Sequence, residues 1–151
     1  MALPGFASIR LPDDLRSVAF LHGDGNVSEG VRRLIDRHDR LMKAALPTLS
    51  ADEAGCLYAA LQSRYPTWAE DVRMVTGNHL ATEIRDFRPT NAGNVLFERL
   101  DWDGLEARMR ALDPVECLSI AYAVEAMSAD PGQPTDKGVS DVARRHFRIV
   151  D

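Results

Sequence analysis

Phe6, Ser8 and Arg10 alternate with Ala7, Ile9 and Leu11, so in an extended backbone the first three project from one face and the apolar three from the other. Serine donates or accepts a hydrogen bond. Arginine donates in pairs, to a carboxylate, a phosphate or the O6 and N7 edge of a guanine. A second set of candidate groups lies at Asn26-Val27-Ser28-Glu29, which has the form of a helix start. The first backbone N–H groups of a helix lack intrahelical acceptors and sit at its positive end, so Val27 and Ser28 are placed to meet an anion. Arg32, Arg33, Arg37 and Arg40 follow on the same segment. Catalytic and metal chemistry have little to stand on. His22, His38, His79 and His146 are scattered, and His79 with Glu83 offers two ligands where a zinc site needs three or four. There is no Gly-x-Ser-x-Gly, phosphate-loop glycine pattern or Cys-x-x-Cys, so the expectation is a protein that is not an enzyme and needs no cofactor.

The elements that would position these groups are set by local pattern. Residues 6–11 read as one half-buried strand ended by Pro12, and Pro12-Asp13-Asp14 opens a helix with acidic side chains near its positive end. Leu15, Val18 and Ala19 form its apolar stripe. Gly23-Asp24-Gly25 stops it, and a capping box begins a second helix, with Asn26 capping and Glu29 reaching back. In that helix Val27, Val31, Leu34, Ile35, His38 and Leu41 keep to one face while the arginines decorate the others.

A strand and two short helices, about 40 residues, are too few to bury their own apolar faces. An unpaired strand is also an aggregation hazard, and pairing with the same strand of a second copy answers both problems. The expected dimer core is Ala7, Ile9, Leu11, Leu15, Val18, Val31, Leu34 and Ile35. Charge points the same way. Residues 1–43 hold seven Arg or Lys against six carboxylates, and the remainder eleven against seventeen, within a net charge of −5. A chain of that balance does not coat nucleic acid indiscriminately, and any part that touches DNA is the front.

Ser8-Ile9-Arg10-Leu11-Pro12-Asp13-Asp14-Leu15, followed by Gly25-Asn26-Val27-Ser28-Glu29-Gly30-Val31-Arg32-Arg33-Leu34-Ile35, resembles the ribbon-helix-helix family of phage and plasmid repressors, of Arc and MetJ type. The resemblance covers about a quarter of the chain and rests on order and spacing together; the first helix is about a turn shorter than in the longest members. It implies an intermolecular two-stranded ribbon in the major groove of double-stranded DNA, with Phe6, Ser8 and Arg10 toward the base edges. Val27 and Ser28, with Arg32 and Arg33, are then the implied phosphate contacts. Bland readings stand beside these: Arg10 pairing with Asp13, Ser28 satisfied by its own backbone, the arginines of the second helix solvating its face. Phe6 either touches a thymine methyl or packs under the arm Met1 to Gly5, the paired strand then starting at Ala7.

Beyond Lys43 the pattern is helical. Ser50 to Glu53 is a capping box ahead of Ala54, Leu57, Tyr58 and Leu61, and Pro66 closes that segment. Leu80, Ile84 and Phe87 mark a helix ending before Pro89. Asp101 or Asp103 starts another, and Asp113-Pro114-Val115-Glu116 starts a fourth. Residues 130–138, rich in Pro and Gly, read as a linker before a short basic terminal segment. Cys56 and Cys117 fall on helical apolar stripes and read as free thiols acting as small hydrophobes. No run is apolar enough for a membrane helix, and Met1 to Arg10 lacks the form of a secretory signal, so a cytoplasmic protein is expected. The fold class expected is mainly α: a ribbon-helix-helix dimerisation module over 1–43, an all-α domain over 44–129, and a linker with a short C-terminal segment over 130–151.

Two functions fit. The first is a dimeric, sequence-specific transcriptional repressor, two dimers pairing on a short operator, with the acidic helical region serving oligomerisation, protein contacts or effector sensing. The second is an antitoxin or mobile-element inhibitor. In it the acidic C-terminal domain binds a toxin or a host defence protein, and the front module dimerises the chain or regulates its own gene.

Overall fold

The computed structural model describes residues 10–62, 75–130 and 139–150. The chain is mainly helical and divides into two compact units, Met1–Leu41 and Met42–Asp151. Helix α1, Asp13–His22, opens at Pro12, whose carbonyl accepts from the Arg16 N–H at 2.9 Å, with Asp13 and Asp14 in its first turn. It ends at Gly23, where Asp24 (φ 53°) and Gly25 (φ 91°) take the left-handed conformation that reverses the chain. Helix α2, Val27–Ala45, begins as expected at Asn26, whose Oδ1 accepts from the Glu29 N–H at 3.0 Å. The return half of that capping box is not made. The Asn26 N–H donates to Gly23 O, and the Glu29 carboxylate is taken by Arg32 and Arg33, whose positive charge outcompetes a neutral amide.

In the first unit α1 and α2 meet through backbone. A Cβ built on Gly30 would fall on the carbonyl oxygen of Ala19, and one on Gly23 would fall on that of Asn26. Ala19, Gly23 and Gly30 are buried, while the larger apolar side chains of α1 and of α2 up to Leu41 are half-buried or exposed.

The second unit has a core of ordinary kind. It comprises strand β1 (Thr48–Leu49), helices α3 (Ala51–Gln62), α4 (Gly77–Asn91), α5 (Trp102–Arg110), α6 (Pro114–Ser128) and α7 (Val139–His146), and strand β2 (Arg148–Ile149). Helix α3 is its centre, in contact with α4, α6 and α7, and is buried at Ala54, Gly55, Cys56, Leu57, Tyr58, Ala60 and Leu61. Leu80 and Ile84 from α4, Leu105 and Met109 from α5, and Ile120, Val124 and Met127 from α6 complete it. Three starts are capped as the residue types require. Ser50 and Glu53 exchange bonds at 3.1 and 2.8 Å, Asp113 and Glu116 at 2.8 and 2.9 Å, and Asp101 Oδ1 accepts from the Gly104 N–H at 3.0 Å.

Three expectations for this unit are corrected. Helix α4 does not stop before Pro89 but runs to Asn91. Pro89 falls in the last turn, so only Thr90 and Asn91 follow it in the helix, and the Asn91 side-chain amide bonds Phe87 O at 2.9 Å, fixing the end. The unit is not all-α, because β1 and β2 pair in parallel, Thr48 with Arg148 and Leu49 with Ile149. Two residues per strand, a hundred positions apart, leave no periodic trace. Nor is the C-terminal segment a separate tail, since Val142, Ala143 and Phe147 are buried in the same core. Arg145 and His146 bond the Asp130 carboxylate, His146 Nε2 lying 2.7 Å from Oδ2. The closing of α3 at Pro66 and the linker residues 131–138 lie outside the described residues.

The backbone crossing makes a test. Ala is favoured over Gly in a helix by roughly 0.5–1 kcal/mol. At Gly30 the clash with Ala19 dominates instead, so Gly30→Ala is expected to destabilise the first unit by about 3 kcal/mol, the upper range of overpacking. Gly93→Ala, with nothing within 4 Å of its Cβ, serves as the neutral control. Thermal unfolding and hydrogen exchange of α1 amides check this; a Gly30→Ala protein as stable as the control would remove the close crossing from the account.

Candidate nucleic-acid interface

Phe6, Ala7, Ser8 and Ile9 lie outside the described residues, so the ribbon itself has no described geometry. The residues that succeed it are placed. Arg10 is exposed, in no regular element, and Leu11 is half-buried. Of the expected dimer-core residues on the helices, Val31 and Leu34 are half-buried, while Leu15, Val18 and Ile35 are exposed at 52%, 43% and 62% in the single chain.

The start of α2 has the form an anion site requires. Asn26 Oδ1 and Asn26 O take the N–H groups of Glu29 and Gly30, and among the described residues those of Val27 and Ser28 meet no acceptor. The Ser28 side chain is exposed beside them. The two arginines expected to supplement this site are used differently. Arg33 is tied to the α1–α2 turn. Its Nη1 donates to Asp24 Oδ2 and to His22 O, both at 3.0 Å, and its Nε donates to Glu29 Oε1 at 3.2 Å. The Asp24 carboxylate pushes the pKa of the guanidinium further above its ordinary value, so it stays charged throughout. Arg32 makes one contact, to Glu29 Oε2 at 3.3 Å, with a side chain 81% exposed. Arg32 therefore remains placed to reach a phosphate, and Arg33 closes the turn. Sequence reasoning missed this clasp; Asp24, nine residues before Arg33 and flanked by glycines, was its one signal.

Also unanticipated is the outer side of α1. Phe20 and Leu21, off the Leu15–Val18–Ala19 stripe, are exposed and, with Arg16, Ser17 and Val27, line an open hollow of about 410 Å³.

Elsewhere the described residues contain no group of three or more His, Cys, Asp or Glu side chains able to hold a metal ion. No described helix is long and apolar enough to cross a membrane. Cys56 and Cys117 are free and fully buried. Burial pushes the Cys56 thiol up to about 12; burial, with Asp113 and Glu116 nearby, pushes Cys117 up to about 11. Neither has the depressed pKa of a nucleophilic cysteine.

Arg33→Ala is expected to raise exchange of the Gly25 and Asn26 amides a few-fold, whereas Arg32→Ala leaves them unchanged; equal effects would dissolve the clasp. For the thiols the folded pKa lies above the reference value of 9.0, so the folded state favours the protonated form. Their contribution to stability is complete below pH 9 and declines as pH rises from 9 toward 11–12, because the unfolded thiols ionise first. Denaturation midpoints across pH 8–11 should fall more steeply for wild type than for Cys56→Ala/Cys117→Ala, and parallel curves would contradict the shift.

Compared with models of known protein families, with curated proteins and with solved structures, the chain matches none.

Proposed function

We propose that this protein is a dimeric, sequence-specific DNA-binding repressor. Its first unit pairs with that of a second copy, and the strand carrying Ser8 and Arg10 enters the major groove as one half of a ribbon. The observation that carries the reading is the exposure of Leu15, Val18 and Ile35 on a two-helix unit in which, among the described residues 10–41, Ala19, Gly23 and Gly30 are the buried ones. Those apolar side chains need a cover, and Leu15, Val18 and Ile35 are three of the residues named from sequence as the dimer core. A second copy supplies the cover and duplicates the reading group.

In this reading Arg10 contacts a guanine, Ser8 the neighbouring base, and Phe6 a thymine methyl. The free N–H groups of Val27 and Ser28 hold a backbone phosphate, with Arg32 beside them. Arg33 positions that helix start through the turn instead of touching DNA.

The test pairs two measurements on the full chain. Sedimentation at micromolar concentration should give a dimer. In a mobility-shift assay with DNA selected by wild type from a random pool, Arg10→Ala should weaken specific binding by at least ~30-fold, since two arginines per dimer are each worth ~1–3 kcal/mol. The circular dichroism of the variant should be unchanged. A strictly monomeric wild-type protein, or undiminished affinity of the variant, rejects the proposal.

A further inference from the structure

In the second unit the turn between α4 and α5 presents two apolar side chains to solvent. Val95 and Leu96 are 76% and 52% exposed, next to each other on a 3-10 turn, Val95–Phe97. Isolated exposed aliphatics are ordinary, as Val115 and Val150 are here. Val95 and Leu96 differ from those in being adjacent, held rigid and set against a hollow.

The rigidity has identifiable sources. Asn94 caps the turn, its Oδ1 accepting from the Leu96 N–H at 3.0 Å, and its carbonyl accepts from the Phe97 N–H at 2.9 Å. Phe97 turns inward and packs edge-on against Phe87 and Trp102, with ring centroids 5.7 and 5.9 Å away. With the backbone of the turn bonded and Phe97 anchored, Val95 and Leu96 are held at the surface, and a preorganised backbone lowers the entropic cost of binding. They border a hollow of about 370 Å³ completed by Asp52, Glu98 and Arg99.

The rim settles the chemistry of what fits. In this unit Arg88, Arg108, Arg110 and Arg145 are engaged by Asp103, Glu53, Glu106 and Asp130, and Arg148 by the carbonyls of Lys43 and Ala44. Asp52 and Glu98 are exposed and pair with no cation among the described residues, so the rim has two available carboxylates against Arg99. Residues 44–151 as a whole carry eleven Lys or Arg against seventeen carboxylates. An apolar centre inside a negative rim suits a protein segment with aliphatic side chains flanked by lysine or arginine, and it repels nucleic acid.

We propose that the Val95–Leu96 turn, with Asp52 and Glu98 beside it, is a docking surface for a basic, aliphatic segment of a partner protein, separate from the DNA-reading unit. The probe is a fluorescein-labelled peptide with a leucine pair between lysines, and its counterpart with glutamates in place of the lysines. Anisotropy is followed with the full chain at about 0.15 M salt, where weak surface charge is screened beyond ~8 Å. The lysine peptide should bind saturably below ~1 mM, the weak end of specific recognition. Val95→Ser/Leu96→Ser should weaken it by about tenfold or more, as for a hot spot, and Glu98→Gln by a few-fold. Val115→Ser should not change it. Absence of saturable lysine-peptide binding, equal binding of the glutamate peptide, or full affinity in the double variant each overturns the proposal. None of these readouts depends on DNA binding by the first unit.

Discussion

The close contact of Gly30 with the backbone of Ala19, and of Gly23 with that of Asn26, governs the first unit. Two helices that meet through glycine have no room for a layer of side chains between them, and a hydrophobic core is such a layer. The larger apolar residues of α1 and of α2 up to Leu41 are half-buried or exposed. Arg33 ties the turn, and among the described residues of the unit Leu11, Val27, Val31 and Leu34 are half-buried while Leu15, Val18, Phe20, Leu21, Ile35 and Leu41 are exposed. A helical hairpin of this length gains most of its stability from packing rather than propensity, and the exposed apolar residues on these helices leave part of that packing unmade in the single chain.

The second unit shows the opposite solution with similar residues. Helix α3 is buried along most of its length because neighbours lie against it on several sides, and small residues at Ala54, Gly55 and Ala60 let them approach. Its polar groups are spent internally. Glu53 caps α3 and also accepts from Arg108 at 2.6 Å, while Arg108 reaches Thr48 O at 2.6 Å, tying α5 to the β1–α3 corner. Asp130 binds α7 to the end of α6 in the same manner.

What could be read from sequence divides along the range of the interactions. Caps at Asn26, Ser50, Asp101 and Asp113 depend on residues three or four apart; those at Asn26, Ser50 and Asp113 were legible from residue type alone, and at α5 residue type left Asp101 and Asp103 as alternatives. The stop at Gly23-Asp24-Gly25 was legible for the same reason. Pro89 misled because a proline signals a boundary without saying on which side of the last turn it falls. The β1–β2 pair, the burial of α7 and the Arg33 clasp depend on partners nine to a hundred residues away, and local pattern holds no record of them. At the candidate site, the start of α2 at Asn26 was legible. The division of labour between two adjacent arginines was not, since it rests on which of them points at Asp24.

Charge sharpens the case for duplication. Residues 1–41 hold six arginines and six carboxylates, and part of that set is already paired: Arg33 with Asp24 and Glu29, Arg32 with Glu29, and Arg40 with Asp36. Among the described residues Arg10, Arg16 and Arg37 are in no such pair. A single copy thus offers DNA only a few available cations, too few for the counterion release that sustains non-specific adhesion. Affinity would have to come from correctly oriented contacts made twice, on the two halves of a symmetric site, where each base-reading arginine adds to the other through one rigid frame. The exposed apolar faces and the scarcity of free charge are separate properties of the first unit, one of packing and one of electrostatics. On the proposed reading a second copy answers both.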